Sequence, residues 1–131
     1  MNRGTRRTAT VCALGAALLG ALSAPAHSAP AKRDVTVRTS DSAGSATFVH
    51  HGDSLRVCDL KADGRRVVGR LLWTDLKGSH HTLTEDSNGA GNSCARQSFD
   101  IPEGTPVTIK VCLKKGPKGI QEKCALERAV A

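Results

Sequence analysis

The chain has 131 residues, with 19 Lys and Arg against 12 Asp and Glu, which gives a formal net charge of +7. This length fits one small domain whose hydrophobic core is only marginally large enough to fold by itself. With one Trp, two Phe and no Tyr, the sequence argues against proteins that bind nucleic acids or sugars through stacked aromatic side chains.

The predicted elements begin with an export signal at residues 1–28. Three arginines form its basic start, and residues 9–22 form an uncharged apolar run that is shorter than the roughly 20 residues a membrane helix needs. Small residues then offer two cleavage sites, within 24–26 or within 26–28. The sequence therefore predicts a secreted, extracellular protein that has no membrane span once this segment is removed.

Removal of the signal changes the charge and defines the domain. Three basic residues leave with it, so the excess of basic over acidic residues falls from seven to about four. The remaining charge spreads along the sequence and forms no block. We expect residues 29–44 to hold a leader and the first strand, and residues 45–131 to form a single β domain to which that first strand, at 35–39, also belongs.

Short runs of alternating apolar and polar residues, separated by turn clusters, predict strands and no convincing helix. The predicted strands lie at 35–39 and 46–50, at two places within 54–73, and at 80–84, 95–101, 106–113 and 121–126. The clearest alternation is in 106–113, where Val107, Ile109, Val111 and Leu113 share one face. We predict an all-β fold, either a small antiparallel, immunoglobulin-like β-sandwich or a barrel, with about seven or eight strands.

The segment from Ser54 to Trp73 is predicted to form the central hairpin of this fold. Its middle, residues 62–65, reads Ala-Asp-Gly-Arg between two runs that carry apolar residues. Asp-Gly in that setting is typical of a two-residue type I′ turn. The pattern therefore predicts two neighbouring antiparallel strands.

Four cysteines remain after signal removal, which are Cys58, Cys94, Cys112 and Cys124. An even number in a short exported chain predicts two disulfides, with three possible pairings. The spacing of Cys58, Trp73 and Cys112 is similar to that of an immunoglobulin domain, but Cys112 alternates with the polar residues of its strand. We therefore favour the pairs Cys58–Cys94 and Cys112–Cys124 at the periphery, although sequence alone does not fix the connectivity.

Three segments carry a resemblance to known proteins. They are Val57-Cys58-Asp59 followed by Ala62-Asp63-Gly64, the segment Cys94-x-x-x-Ser98-Phe99-Asp100-Ile101-Pro102-x-Gly104, and the paired cysteines near the C-terminus. On these segments the chain resembles a group of small secreted actinobacterial proteins over roughly residues 47–124. The resemblance implies a secreted, disulfide-bonded β domain and carries over no catalytic residue.

The candidate metal ligands are two histidine pairs, His50-His51 and His80-His81. One histidine from each pair, together with Asp53 or Asp75, would offer nitrogen and carboxylate ligands for a tetrahedral zinc ion. The spacing matches no zinc-ligand signature, and histidines at strand ends that face water explain the pairs more simply. We therefore predict no metal and no cofactor.

The functional prediction is a non-catalytic protein that binds an unknown extracellular protein or polymer, or that forms part of the extracellular surface. No nucleic acid is expected as a partner. The alternative is an inhibitor of a secreted enzyme such as a protease, which would present the Gly-rich loop at 85–93 beside a disulfide. A metal-binding protein or a hydrolase is a weaker alternative, because a triad of His81, Asp75 and a serine lacks a nucleophile motif.

Overall fold

The computed structural model describes residues 32–131, and the predicted export signal lies outside them. This part of the chain contains nine strands and no helix, so none of its elements is a long apolar helix of the kind that crosses membranes. The strands are β1 Val35–Arg38, β2 Gly44–Val49, β3 Ser54–Asp59, β4 Arg66–Asp75, β5 Gly78–His81, β6 Thr84–Asp86, β7 Ala95–Ser98, β8 Pro106–Lys114 and β9 Glu122–Val130.

These strands form two antiparallel sheets that pack face to face. Sheet A has the order β1-β2-β3-β7. Sheet B has the order β5-β4-β8-β9, and β6 continues the edge that β5 begins along β4. The predicted all-β fold is confirmed, with nine strands where seven or eight were expected. The arrangement is a sandwich and not a barrel, because no strand of one sheet pairs with a strand of the other among the described residues.

The core lies between the sheets and follows the alternation of the strands. Sheet A contributes Phe48, Leu55 and Val57, all fully buried. Sheet B contributes Val67, Leu71 and the four residues predicted for the inner face of β8, Val107, Ile109, Val111 and Leu113. Complete burial of each such side chain is worth about 1.5–3 kcal/mol, so this layer supplies most of the driving force for folding.

The two sheets are in close contact where β4 has a glycine. A Cβ atom on Gly69 would lie 2.4 Å from Cγ2 of Val57 in the opposite sheet and 3.2 Å from Cδ2 of Leu55. Real Cβ atoms do not approach other carbons that closely, so any larger residue at 69 would push the sheets apart. Gly69 therefore permits the contact between β3 and β4.

The predicted hairpin from Ser54 to Trp73 is wrong. β3 pairs with β2 and β7 in sheet A, whereas β4 pairs with β5, β6 and β8 in sheet B. The Asp-Gly segment does turn, with φ of 74° at Gly64 and the Asp63 carboxylate accepting a hydrogen bond from the Arg65 N–H. It carries the chain from sheet A to sheet B, so β3 and β4 pack face to face instead of pairing side by side.

The predicted strand at 80–84 is wrong, because the structure has two strands there, β5 and β6, with residues 82–83 between them. The bounds of other strands differ too. β6 lies partly within the predicted loop 85–93, so the loop proper begins at Ser87. β7 ends at Ser98, although Ile101 beyond it is still buried. β9 extends to Val130, well beyond the predicted 121–126, because an edge strand that bonds to β8 through its backbone needs no regular apolar alternation.

The two predicted disulfides, Cys58–Cys94 and Cys112–Cys124, are confirmed. The first joins the end of β3 to the residue before β7 in sheet A, and the second joins β8 to β9 in sheet B. Both lie on outer faces, and neither crosses the core as the bridge of an immunoglobulin domain does. Their position is less peripheral than expected, since Cys112 is 1% exposed and lies opposite Val68, which is equally buried.

Candidate functional site

The outer face of sheet A gathers positive charge from three separate strands. Arg38 of β1, Arg56 of β3 and Arg96 of β7 are all exposed, and each alternates with a residue that points inward. The other outward side chains are mostly hydroxyls, from Thr36, Ser45, Thr47, Ser54 and Ser98. We call this surface, made of the three arginines and these five hydroxyl residues, the arginine face.

The strand register aligns part of this face in a single row. Thr36 lies opposite Thr47, Thr47 opposite Arg56, and Arg56 opposite Arg96. Arg56 and Arg96 are therefore direct cross-strand neighbours of like charge, an arrangement that destabilises a sheet. Opposite charges at such positions would stabilise the sheet instead. The pairing of Arg56 with Arg96 therefore lowers the stability of the sheet, and the fold alone gives no reason for it.

No acidic side chain compensates this charge. None of the three arginines forms an ion pair with any residue in the described range, and no outward-facing residue on the strands of sheet A is Asp or Glu. The acids lie mainly in turns and strand ends, such as Asp34, Asp41, Asp53, Asp63, Asp75, Asp100 and Glu103. The face is therefore electropositive even though the chain carries many acids.

Hydrogen bonds hold parts of the face in position. The Arg96 guanidinium donates to Ser54 Oγ from Nε at 3.1 Å and from Nη2 at 2.8 Å. Ser54 is fully buried, and the contact directs the Arg96 side chain along β3 away from the residue opposite it. The hydroxyls of Thr36 and Thr47 lie 2.8 Å apart in a hydrogen bond. A guanidinium fixed on a rigid sheet loses less conformational freedom when it binds an oxyanion.

The chemistry of this face suits an extended anion. Guanidinium groups bind phosphate, sulfate and carboxylate through paired, charge-assisted hydrogen bonds. The exposed hydroxyls of Thr36 and Ser98 can donate to the same oxygens, whereas Ser45, Thr47 and Ser54 are buried. The face spans three inter-strand spacings from β1 to β7, about 14 Å. It is an open sheet surface and not an enclosed pocket, so it presents separate donors to a ligand that lies across the strands.

The histidine pairs have a different arrangement. His80 stacks on Trp73 with ring centroids 4.8 Å apart, and its Nε2 lies 2.9 Å from Asp75 Oδ1. The hydrogen bond from His80 lowers the pKa of Asp75 below its usual value. His81 faces the other side of the strand and is exposed, so the triad of His81, Asp75 and a serine is not formed.

The other pair lies at the turn between β2 and β3, where the rings of His50 and His51 are 5.5 Å apart. Within residues 32–131 no group of three His, Cys, Asp or Glu residues is arranged to hold a metal ion. Asp75 meets His80, but no histidine of the first pair joins them. These contacts explain His80 as part of the packing around Trp73.

The Gly-rich loop is held by structural contacts. Glu85, predicted to lie in it, belongs to β6 and pairs with Arg66 at 2.8 Å and with Lys114 at 2.6 Å. Burial alone would raise the pKa of Glu85, but these two cations lower it below the usual value. Beyond β6, the side-chain amide of Asn88 donates to the Ser93 carbonyl at 3.1 Å. The loop has a defined shape but no bulky side chain that would fill a partner's pocket.

No protein-family model matches the chain, and no match was found among curated proteins or among solved structures. The functional reasoning therefore rests on the geometry of this molecule.

Sequence reasoning missed the arginine face. Each arginine occupies the outward phase of its strand, and this local signal is visible in the sequence. Their proximity depends on the pairing of β3 with β7, which are separated by the whole of β4, β5 and β6. The sequence suggests charge spread along the chain, whereas the sheet collects it on one surface.

Proposed function

We propose that the protein is exported and acts by binding an anionic extracellular ligand on the arginine face, without catalysing a reaction. The observation that carries this proposal is the direct pairing of Arg56 with Arg96 on a face without acids. A negative ligand turns the repulsion between these two side chains into shared attraction. A sheet that served only its own stability would gain from a different pair.

The character of the face favours a polymer over a folded protein partner. Protein interfaces are anchored mainly by buried Trp, Tyr and Arg side chains, and of these three the arginine face offers only arginine. Its outward side chains apart from Val49 and Cys58 are arginines and hydroxyls. It also lacks aromatic side chains on which bases would stack, which argues against single-stranded nucleic acid.

The disulfides support both export and binding. Disulfides persist in oxidising compartments, so two of them in a small chain fit an extracellular location. The Cys58–Cys94 bridge joins the two strands that carry Arg56 and Arg96. It keeps these strands paired and so limits their adjustment when a ligand binds.

The test is a binding assay of the purified, oxidised protein on immobilised heparin, which serves as a generic polyanion. Arg56→Gln with Arg96→Gln is expected to weaken binding about tenfold and to lower the slope of log affinity against log salt by about two. The matched control is Lys115→Gln with Lys118→Gln, which removes the same charge from the exposed turn between β8 and β9.

The comparison between these two double variants decides the outcome. A control pair that weakens binding as much as the arginine pair would mean that net charge alone attracts the polymer, and the proposal would fail. Wild-type protein that does not bind any polyanion at moderate salt would also refute it. Circular dichroism of each variant establishes that the sheets are intact.

The inhibitor hypothesis is the second candidate. The observation that favours it is the loop beyond β6, which Asn88 and the Cys58–Cys94 bridge hold in a defined shape. An inhibitory loop gains affinity from such pre-organisation. A panel of secreted proteases assayed with the intact protein and with a variant in which residues 88–92 are shortened tests it, and inhibition that requires the intact loop would favour this candidate.

A further inference from the structure

The outer face of sheet B carries a second basic cluster, on the opposite side of the sandwich. Arg70 of β4 lies directly opposite Lys110 of β8, and Arg128 of β9 lies opposite Thr108 in the adjacent row. We call Arg70, Lys110 and Arg128 the second basic cluster. It repeats the feature that marks the arginine face, which is a cross-strand pair of like charge.

The same face also contains a like-charge pair whose repulsion is neutralised by an acidic side chain. Arg66 and Lys114 are also directly opposite each other, but Glu85 contacts both of them. Within the described residues Glu85 is the only acid in the outward phase of this sheet's strands, since Glu122 and Glu127 of β9 lie opposite the inward-facing Leu113 and Ile109. Arg70, Lys110 and Arg128 have no ion pair in this part of the chain.

The surroundings of the second basic cluster are more apolar than the arginine face. Leu126 lies opposite Lys110 and is 62% exposed, and Leu72, next to Arg128 across Thr108, is 38% exposed. Beside them a shallow groove of about 510 Å³ is lined by Leu72, Thr108 and Pro106 together with Trp73, His80 and His81. The cluster thus offers charge together with aliphatic surface against which the carbon skeleton of a polymer can pack.

The geometry keeps the two sites independent. The sheets of a sandwich are about 10 Å apart, and the outward side chains of each point away from the other. A ligand segment that lies on one face cannot touch the other face without passing around the edge of the sandwich. Each molecule therefore presents two basic surfaces that face in opposite directions.

We propose that the protein is bivalent and crosslinks strands of an anionic glycopolymer, a linear chain of sugar or polyol units that carries phosphate, sulfate or carboxylate groups. This inference rests on the proposed function, because one of the two sites is the arginine face. The charge of both faces fixes the sign of the ligand. The arginine face has no aromatic side chain on which bases would stack, which favours a polymer without bases. Two opposed sites join two polymer strands, and the second attachment then gains from a high effective concentration.

The test measures bridging separately from binding. Light scattering follows mixtures of the protein with heparin, polygalacturonate or poly(glycerol phosphate), which represent sulfate, carboxylate and phosphate sources. Wild-type protein is expected to form large assemblies at intermediate ratios that dissolve again in polymer excess. The polymer that gives assemblies at the highest salt identifies the anionic group.

Variants then separate the two sites. Arg56→Gln with Arg96→Gln and, in a second protein, Arg70→Gln with Lys110→Gln are each expected to bind immobilised polymer about tenfold more weakly and to lose bridging. A mixture of the two double variants should not restore bridging, since each molecule keeps only one intact site. The control, Lys115→Gln with Lys118→Gln, should bridge like wild type.

The outcomes distinguish the two proposals. Wild-type protein that binds but does not bridge would overturn bivalency and leave the proposed function standing. Bridging that survives Arg70→Gln with Lys110→Gln would overturn the second site. A protein that is dimeric in solution and bridges through its two arginine faces alone would overturn it as well. Absence of all binding would refute the proposed function itself. Equal affinity for duplex DNA and for every glycopolymer at about 0.15 M salt would overturn the glycopolymer assignment.

Discussion

Replacement of Arg56 by Thr is expected to stabilise the protein while it weakens polyanion binding. The change removes one partner of the Arg56–Arg96 pair and introduces a β-branched residue, which suits a strand. Surface substitutions normally leave stability unchanged or reduce it. A gain in stability at a position that a ligand needs would show that the fold carries a cost for binding.

The magnitude follows from the geometry of the pair. A cross-strand like-charge pair costs about 0.2–1 kcal/mol, and the Arg96 guanidinium already leans toward Ser54, so we take about 0.5 kcal/mol for the repulsion. The better strand preference of Thr adds a few tenths. For a domain of this size a gain of about 0.5–1 kcal/mol raises the melting temperature by roughly 2–8 °C.

Thermal unfolding followed by circular dichroism at low and high salt checks this value. The Debye length is about 30 Å at 0.01 M and 3 Å at 1 M, so high salt should screen the repulsion and reduce the difference between wild type and Arg56→Thr. The control is Arg38→Thr, because Arg38 lies opposite the neutral Ser45. That control should gain only the strand-preference part and should show no salt-dependent difference.

The reasoning is refuted if Arg56→Thr lowers the melting temperature, or if both variants rise equally at both salt concentrations. In the first case Arg56 would make a stabilising contact. In the second the gain would come from strand preference alone and the like-charge pair would carry no cost.

Three further predictions concern the scaffold. Gly69→Ala should lower the free energy of unfolding by about 1–3 kcal/mol, because its methyl group collides with Val57. Adding Val57→Ala should restore part of this loss. Chemical denaturation of the two single variants and the double variant should therefore give a favourable coupling energy. Glu85→Gln should cost about 1.5–3 kcal/mol at neutral pH by leaving two cations unpaired. The pKa of Glu85 is lowered in the folded state, so its contribution to stability is complete above the usual carboxyl pKa range. This contribution is lost as the pH falls through the folded-state pKa. The urea unfolding midpoints of wild type and variant should therefore converge in acid. The Cys112–Cys124 bridge closes a separation of 12 residues, so its loss should lower the free energy of unfolding by about 3 kcal/mol. Denaturant unfolding of the variant with both cysteines replaced by Ala measures this, and an unchanged midpoint would contradict it.

Local patterns in the sequence were enough to predict the strands and the sulfur chemistry. The alternation from Val107 to Leu113 identified the inner face of β8, and the phase of Cys112 on its strand argued against a bridge through the core. Both features depend only on a period of two residues. Their prediction therefore required no knowledge of which strands are neighbours.

The features that failed depend on distant parts of the chain. The Asp63-Gly64 turn was read correctly as a turn, but its local geometry does not state whether the following strand lies beside β3 or faces it. In the folded chain β4 faces β3, and Gly69 permits the close contact with Val57 in the opposite sheet. The arginine face likewise exists only because β3 and β7 are paired, so neither the sheet order nor this basic surface was visible from single segments.

Each disulfide joins neighbouring strands of one sheet, and this has a mechanical consequence. Two polymer strands pulling on opposite faces would load the apolar layer in tension, across an interface with no covalent bond except the chain connections that pass from sheet to sheet. Under such a load the two sheets would separate from each other, while the disulfide within each sheet would keep its strands together. Oxidation thus reinforces each half, and resistance to such a pull comes from the aliphatic contacts between them.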